Sequence, residues 1–166
     1  MIAAVVDEHL QRWNERYGGD EYLFGTAPNA FLASHASLLK PGQRALCIAD
    51  GEGRNSVWLA EQGLVVAIFV QFADPPMRRF MFERMIGALV PGGLVLVEGY
   101  TPAQLEYATG GPKQVDQLYT GDLLREAFAA LEILELRAYE AVLNEGTRHA
   151  GMSALIDLVA RKNIRA

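Results

Sequence analysis

Cys47-Ile48-Ala49-Asp50-Gly51-Glu52-Gly53-Arg54-Asn55 is the stretch on which the fold turns. It follows a short apolar run, residues 44–48, that reads as a buried strand. It precedes Ser56-Val57-Trp58-Leu59-Ala60-Glu61-Gln62, which reads as a helix ending at Gly63. A glycine-bearing turn between a strand and a helix lets a ligand approach the backbone closely. It also aims the free N–H groups of the helix start at that ligand. The turn is therefore read as the seat of a nucleotide-like cofactor, the alternative being a tight turn without a ligand.

Outward from this turn, strands and helices alternate. Residues 2–17 carry apolar side chains at helical spacing, and Gly18-Gly19 ends that helix. Residues 22–28 form an aromatic, glycine-bearing loop. Asn29 is an N-cap for a helix over 30–39. Residues 64–72 read as a second buried strand, and Asp74 caps a helix that begins at Pro75-Pro76 and runs to 89. A third buried strand spans 94–98. A long loop follows over 101–119, then a helix over 122–130. Two longer strands, 131–143 and 153–161, joined by residues 144–151, suggest a closing antiparallel hairpin. This order predicts a three-layer α/β sheet in one domain. Residues 1–40 would supply N-terminal helices and a lid, and residues 41–166 the core.

Composition excludes several alternatives. The chain has 166 residues, is 51% hydrophobic and 21% charged, and carries a net charge of −5. Its 15 basic residues form no dense run, so nucleic acid is not an expected partner. One cysteine allows no internal disulfide, and His9, His35 and His149 lack ligand spacing, so no metal site is expected. No apolar run is long enough to span a membrane, and Asp7 and Glu8 stand where a secretory leader would be basic or apolar. The expected compartment is the cytoplasm.

Several stretches together resemble the small, Rossmann-like (class I) S-adenosylmethionine-dependent methyltransferases, in particular the group near the tellurite-resistance and thiopurine methyltransferases. They are Trp13-Asn14-Glu15-Arg16-Tyr17, Glu21-Tyr22-Leu23-Phe24-Gly25-Thr26-Ala27-Pro28-Asn29, the glycine turn, Leu89-Val90-Pro91-Gly92-Gly93-Leu94, Glu98-Gly99-Tyr100-Thr101-Pro102 and Thr109-Gly110-Gly111-Pro112. The resemblance implies a sheet of mostly parallel strands ending in an antiparallel hairpin, and S-adenosylmethionine as cofactor. It departs from the family at the first motif. The acidic position is Cys47 and the first glycine is Ala49, while Gly51 and Gly53 are kept.

A larger departure follows. The family places an acidic residue at the end of the second strand, on the ribose. Here Gly63-Leu64-Val65-Val66 runs straight into Ala67-Ile68-Phe69-Val70-Gln71, which resembles the end of the fourth strand. Roughly forty residues of the usual fold have no counterpart at about 65–67. Because crossovers are right-handed, the second and fourth strands belong on opposite sides of the first, about two strand spacings (~10 Å) apart. Residues 64–72 cannot fill both places. A segment left out of the sequence is the preferred account. A true deletion with a rearranged or partner-completed sheet, or another alignment, are the alternatives.

Placed on this frame, Ala49, Asp50, Gly51, Glu52, Gly53 and Asn55 are candidate cofactor contacts in the turn. Phe69 and Gln71 are candidates past a strand's C-terminal end, and Arg16 and Tyr22 in the lid with Trp13. Tyr100, Tyr107 and His149 are candidate substrate walls, the bland alternatives being core packing and a polar hairpin turn. Methyl transfer from a sulfonium requires alignment and exclusion of water more than covalent help. His35, His149 and Glu98 are the only candidate bases, all weak, and the catalytic residues stay unassigned. The acceptor is expected to be a small molecule, with dimerisation open. Two other readings stand beside this one. The first is a non-catalytic Rossmann-like remnant serving interaction or dimerisation. The second is a nicotinamide dehydrogenase, which would want glycine where Ser56 stands.

Overall fold

The computed structural model describes residues 23–38, 45–48, 54, 55, 58, 65–107, 109–146 and 149–164. Their elements run α1 (Ala30–Ser34), a 3-10 turn (Ala36–Leu38), β1 (Leu46–Ile48), β2 (Val65–Ile68), α2 (Pro75–Ala88), β3 (Leu94–Tyr100), α3 (Gln104–Tyr107), a 3-10 turn (Val115–Gln117), α4 (Gly121–Ala127), β4 (Glu132–Glu145) and β5 (His149–Arg161). The helix over 2–17 lies outside the described residues.

The five strands form one sheet in the order β1-β2-β3-β5-β4. β1, β2 and β3 are mutually parallel, and β5 runs antiparallel to both β3 and β4. Four strands therefore share a direction, and the expected α/β architecture with its closing hairpin is present. The hairpin is tighter than the sequence reading had it. Pairing continues through Leu143↔Gly151 to Glu145↔His149, so His149 opens β5 instead of standing in a turn.

Val65–Ile68 form one strand, paired with β1 on one side and β3 on the other. This is the place of the family's fourth strand. Among the described residues no strand lies beyond β1, so β1 is an edge strand and Leu46 is exposed.

Each face of the sheet is apolar, and strict alternation along the strands assigns side chains to one or the other. One face carries Ala67, Val95, Val97, Ile156, Leu158 and Ala160, covered by Phe82, Met85 and Leu89 of the α2 segment and by Leu124 and Phe128 at α4. The other carries Val66, Leu94, Leu96 and Val159, covered by Phe31 and Leu32 of α1 with Leu38 and Trp58. Local signals hold where they were read. Asn29, Asp74 and Thr120 accept from the N–H groups of Leu32, Met77 and Leu123, capping α1, α2 and α4. Three elements differ from expectation: the strand read over 64–72 spans only Val65–Ile68, leaving Phe69 and Gln71 beyond it. The helix after Asn29 breaks at His35, and the 101–119 loop contains two short helical turns.

Candidate functional site

The parallel strands β1, β2 and β3 end on one side of the sheet, the side where open α/β sheets bind ligands. Side chains on the α1 face at this end fall into two adjoining groups, one polar and one aromatic.

The polar group centres on Asn29. Its side-chain amide donates to Glu98 Oε2 at 2.7 Å and to Glu145 Oε1 and Oε2 at 3.0 and 3.2 Å. Its backbone N–H donates to Asn55 Oδ1 at 2.9 Å. Glu145 also accepts from Ala30 N at 3.0 Å and pairs with Arg54 at 2.6 Å. Arg54 in turn donates to the Phe24 carbonyl at 2.8 Å. Glu98 faces Asp157 directly across the β3–β5 ladder, and Asp157 faces Arg137 across β5–β4. The Arg137 guanidinium reaches Asp157 Oδ2 at 3.4 Å.

Three buried or nearly buried carboxyls thus meet two guanidiniums, that of Arg54 nearly dry and that of Arg137 largely exposed. Burial pushes Glu98 up to about 8, and the neighbouring Asp157 and Glu145 charges push the same way. Burial likewise lifts Asp157 to about 6, against the Tyr139 hydroxyl and the Arg137 guanidinium. Burial acts to raise Glu145 too, but the Ala30 N–H and the Arg54 guanidinium outweigh it and hold that carboxylate below its ordinary value. At neutral pH the group is charge-balanced if Glu98 keeps its proton.

The aromatic group adjoins it. Phe69 stacks on Tyr100 with ring centroids 4.6 Å apart and meets His149 edge-on at 4.3 Å. Phe24 packs on His149 from the N-terminal side at 4.7 Å. Phe69 stands at the very end of β2 with φ of 51°, the left-handed region that a bulky residue adopts only when its surroundings enforce it. Gly111, at φ 79°, lies flat on Tyr100, since a Cβ there would sit 2.8 Å from the ring. Tyr100 is 1% exposed, and its hydroxyl has no hydrogen-bond partner among the described residues. Burial pushes that phenol up, with Glu98 and Glu145 adding to the effect.

The predicted site residues divide as follows. Arg16, Tyr22, Ala49, Asp50, Gly51, Glu52 and Gly53 lie outside the described residues, as does Trp13. Asn55 is buried, and its amide oxygen is given to Asn29. Gln71 is buried with its side chain committed to backbone: it donates to the carbonyls of Tyr100 and Gln117 and accepts from Tyr100 N–H. Phe69, Tyr100 and His149 are brought together. Tyr107 stands apart from them on α3, its hydroxyl bonded to Glu140. His35, one of the weak base candidates, lies at the other end of α1, paired with Glu135 at 3.1 Å.

The polar group was missed as a group by the sequence reading, which had only Asn55 as a cofactor contact, Glu98 as a weak base and Asn29 as a cap. A signal existed: Glu98 and Asp157 interrupt apolar runs in strands that read as buried, and a buried acid is almost never unpaired. A groove of ≈ 390 Å³ between α2 and α4, lined by Arg78, Arg79, Phe82, Glu83, Leu123 and Glu126, lies on the opposite face and takes no part in this site. Among the described residues no helix is long and apolar enough to cross a membrane.

No protein-family model and no curated protein matches the chain. Solved structures do. One comes from work on the conversion of a disulfide bond into a thioacetal group during echinomycin biosynthesis; it is 12% identical over 97% of this chain and 93% of that one, with a TM-score of 0.64. TehB from Haemophilus influenzae is 13% identical over 91% of this chain and 66% of its own, with a TM-score of 0.60. The N-methyltransferase NodS from Bradyrhizobium japonicum WM9 is 13% identical over 84% and 83%, with a TM-score of 0.52. At such identities the likeness speaks to fold, and the fold of this chain is the Rossmann-like one of NodS and TehB.

Proposed function

We propose that the protein is a cytoplasmic S-adenosylmethionine-dependent methyltransferase acting on a small-molecule acceptor. The observation that carries this is the convergence, at the C-terminal ends of three parallel strands, of the glycine turn's helix start, a strained Phe69 and a buried Tyr100 whose hydroxyl lacks a partner. A NodS-like fold supports the reaction class.

The residues fit part of the cofactor. The rings of Phe69 and His149 suit a sulfonium cation, which such rings attract, with Tyr100 stacked on Phe69 and covered by Gly111 as their support. The helix start at Arg54 and Asn55 suits the amino-acid end. No described residue stands where a ribose-binding acid would, because no strand is described beyond β1. When bound, the cofactor supplies an already activated methyl group. The protein's part is alignment and the exclusion of water. The 23–29 segment and the 109–112 loop serve that second end, closing on the aromatic group from two sides. The Tyr100 hydroxyl is the group placed to orient a polar acceptor.

That no described residue stands in the ribose-binding place favours a second reading, the non-catalytic remnant. Titration calorimetry with S-adenosylmethionine and S-adenosylhomocysteine separates them. Micromolar binding of both supports the methyltransferase. No heat at millimolar ligand overturns it in favour of the remnant.

A further inference from the structure

We propose that Glu145 is a positioning residue of the cofactor site: it sets the helix that follows the glycine turn against the 24–30 segment, so that the two dock together. This rests on the glycine turn being the cofactor site.

Glu145 is the last residue of β4, far along the chain from both segments it holds. Its carboxylate takes the Arg54 guanidinium, the Asn29 amide and the Ala30 N–H. The ion pair is nearly dry, with side chains 7% and 10% exposed for Arg54 and Glu145. Arg54 passes the constraint on by donating to the Phe24 carbonyl, and Asn29 N–H closes the ring on Asn55 Oδ1. The next residue tightens it further. Gly146, at φ 68°, lets the Leu23 carbonyl and Phe24 Cα approach where a Cβ would collide with both.

Arg54 and Asn55 directly follow the glycine turn in the chain, and they are the described residues of the helix start that suits the cofactor's amino-acid end. The carboxylate of Glu145 bonds only to Arg54, Asn29 and Ala30 among the described residues. Its effect on binding must therefore run through Arg54 and Asn29. Apparent affinity falls in proportion to the fraction of molecules with the site assembled. If loss of the clamp leaves about one molecule in twenty assembled, the dissociation constant rises about 20-fold.

The test is calorimetric titration of S-adenosylhomocysteine into the full chain, with amide exchange at Ala30 followed in the same proteins. Glu145→Ala is expected to weaken binding about 20-fold and to expose the Ala30 N–H, and Glu145→Gln, which keeps an acceptor for Ala30, to weaken it less. If the Ala variant does not fold, the Gln variant decides, through a several-fold loss from the broken Arg54 pair. A folded variant that loses Ala30 protection yet binds as tightly as the parent overturns the proposal, because a merely structural clamp lowers stability and leaves affinity alone. A parent protein that binds neither ligand overturns the cofactor reading instead.

Discussion

Glu98→Gln is a substitution that ought to stabilise this protein, increasingly as pH rises from about 4.5 to about 8. A glutamate titrates near 4.5 when unfolded, and in the folded chain Glu98 is pushed to about 8 by burial and by the Asp157 and Glu145 carboxylates. Between those values the unfolded chain has released a proton that the folded chain keeps. Stability then falls as pH rises, by about 1.4 kcal/mol per unit for one proton. Over the whole window that is on the order of 5 kcal/mol, complete above the folded value and absent below the unfolded one. Asp157 works in the same direction but finishes near its own folded value of about 6. The interval from pH 6.5 to 8 therefore isolates Glu98 from it, and the slope there amounts to about 2 kcal/mol, or roughly 4–8 °C of melting temperature for a chain of this size.

Glutamine has the shape of the protonated acid. Its oxygen can accept from the Asn29 amide as Glu98 Oε2 does, and its N–H₂ can face Asp157 as the carboxyl proton would. The groups around it are Asn29 from α1, Arg54 at the helix start, Glu145 and Arg137 from β4, and Asp157 from β5. The variant keeps all of them and loses only the titration. Urea or thermal unfolding of both proteins at pH 5, 6.5, 8 and 9 measures the difference and cancels every other titrating group. The two proteins should be alike at pH 5, and the variant should be clearly more stable at pH 9. Parallel curves, or a parent that gains stability relative to the variant above pH 6.5, would refute the buried, proton-holding Glu98.

Gln71→Leu should lower stability by about 2 kcal/mol, since it takes from the buried Tyr100 N–H the acceptor that the amide now supplies, while the Tyr100 carbonyl keeps the Tyr119 N–H; a fall in melting temperature below about 2 °C would show this bond to be replaceable. Tyr100→Phe should leave stability unchanged or slightly raised, because it removes a buried hydroxyl without a partner, while lowering methyl transfer about tenfold or more. Unchanged turnover in that variant would make Tyr100 a wall and nothing else.

What was legible in the sequence followed from local chemistry. Caps at Asn29 and Asp74, the turn at Pro91-Gly92-Gly93 and the buried runs at 64–72 and 94–98 each carry their signal within a few residues, and each starts an element near where it was read, though the strand read over 64–72 stops at Ile68 and the helix after Asn29 stops at Ser34. The long-range polar group did not announce itself, because its members come from four segments. Asn29, Arg54, Glu98 and Glu145 are at most 116 residues apart, and nothing near Glu145 in the chain says that it faces Asn29. Gln71 shows the same limit in reverse. Its place after a strand end made it a candidate contact, but its amide is consumed by Tyr100 and Gln117 across the crevice wall. His149 read as part of a turn because hairpin register is fixed by cross-strand pairing, which a one-strand periodicity does not reveal.

The junction near 64–67 has a topological consequence in the folded sheet. β1, β2 and β3 are adjacent, parallel and in order, so the β1–β2 and β2–β3 crossovers step the same way. The second passes through α2, whose Phe82 and Met85 cover the face carrying Ala67 and Val95. Between β1 and β2 the described helical residue Trp58 packs on the other face, with Phe31 and Val66. Two crossovers that step alike on opposite faces have opposite hands, and parallel crossovers are right-handed in about 98% of sheets. If the chain passes from β1 to β2 on the face where Trp58 packs, one of these two takes the rare hand. The β2–β3 unit has the ordinary form of a strand, a capped helix and a strand. The anomaly then falls on the β1–β2 connection, the one in which the methyltransferase resemblance finds no counterpart for a strand pair. Two further strands outside β1 would let the first crossover step outward with Trp58 on its present face, right-handed. The return to β2 would then cross on the α2 face, right-handed as well. The same two strands would cover the exposed edge at Leu46 and supply the ribose-binding acid that the described site lacks. A strand pair between β1 and β2, the segment whose omission the sequence reading prefers, would account for hand, edge and ligand contact together.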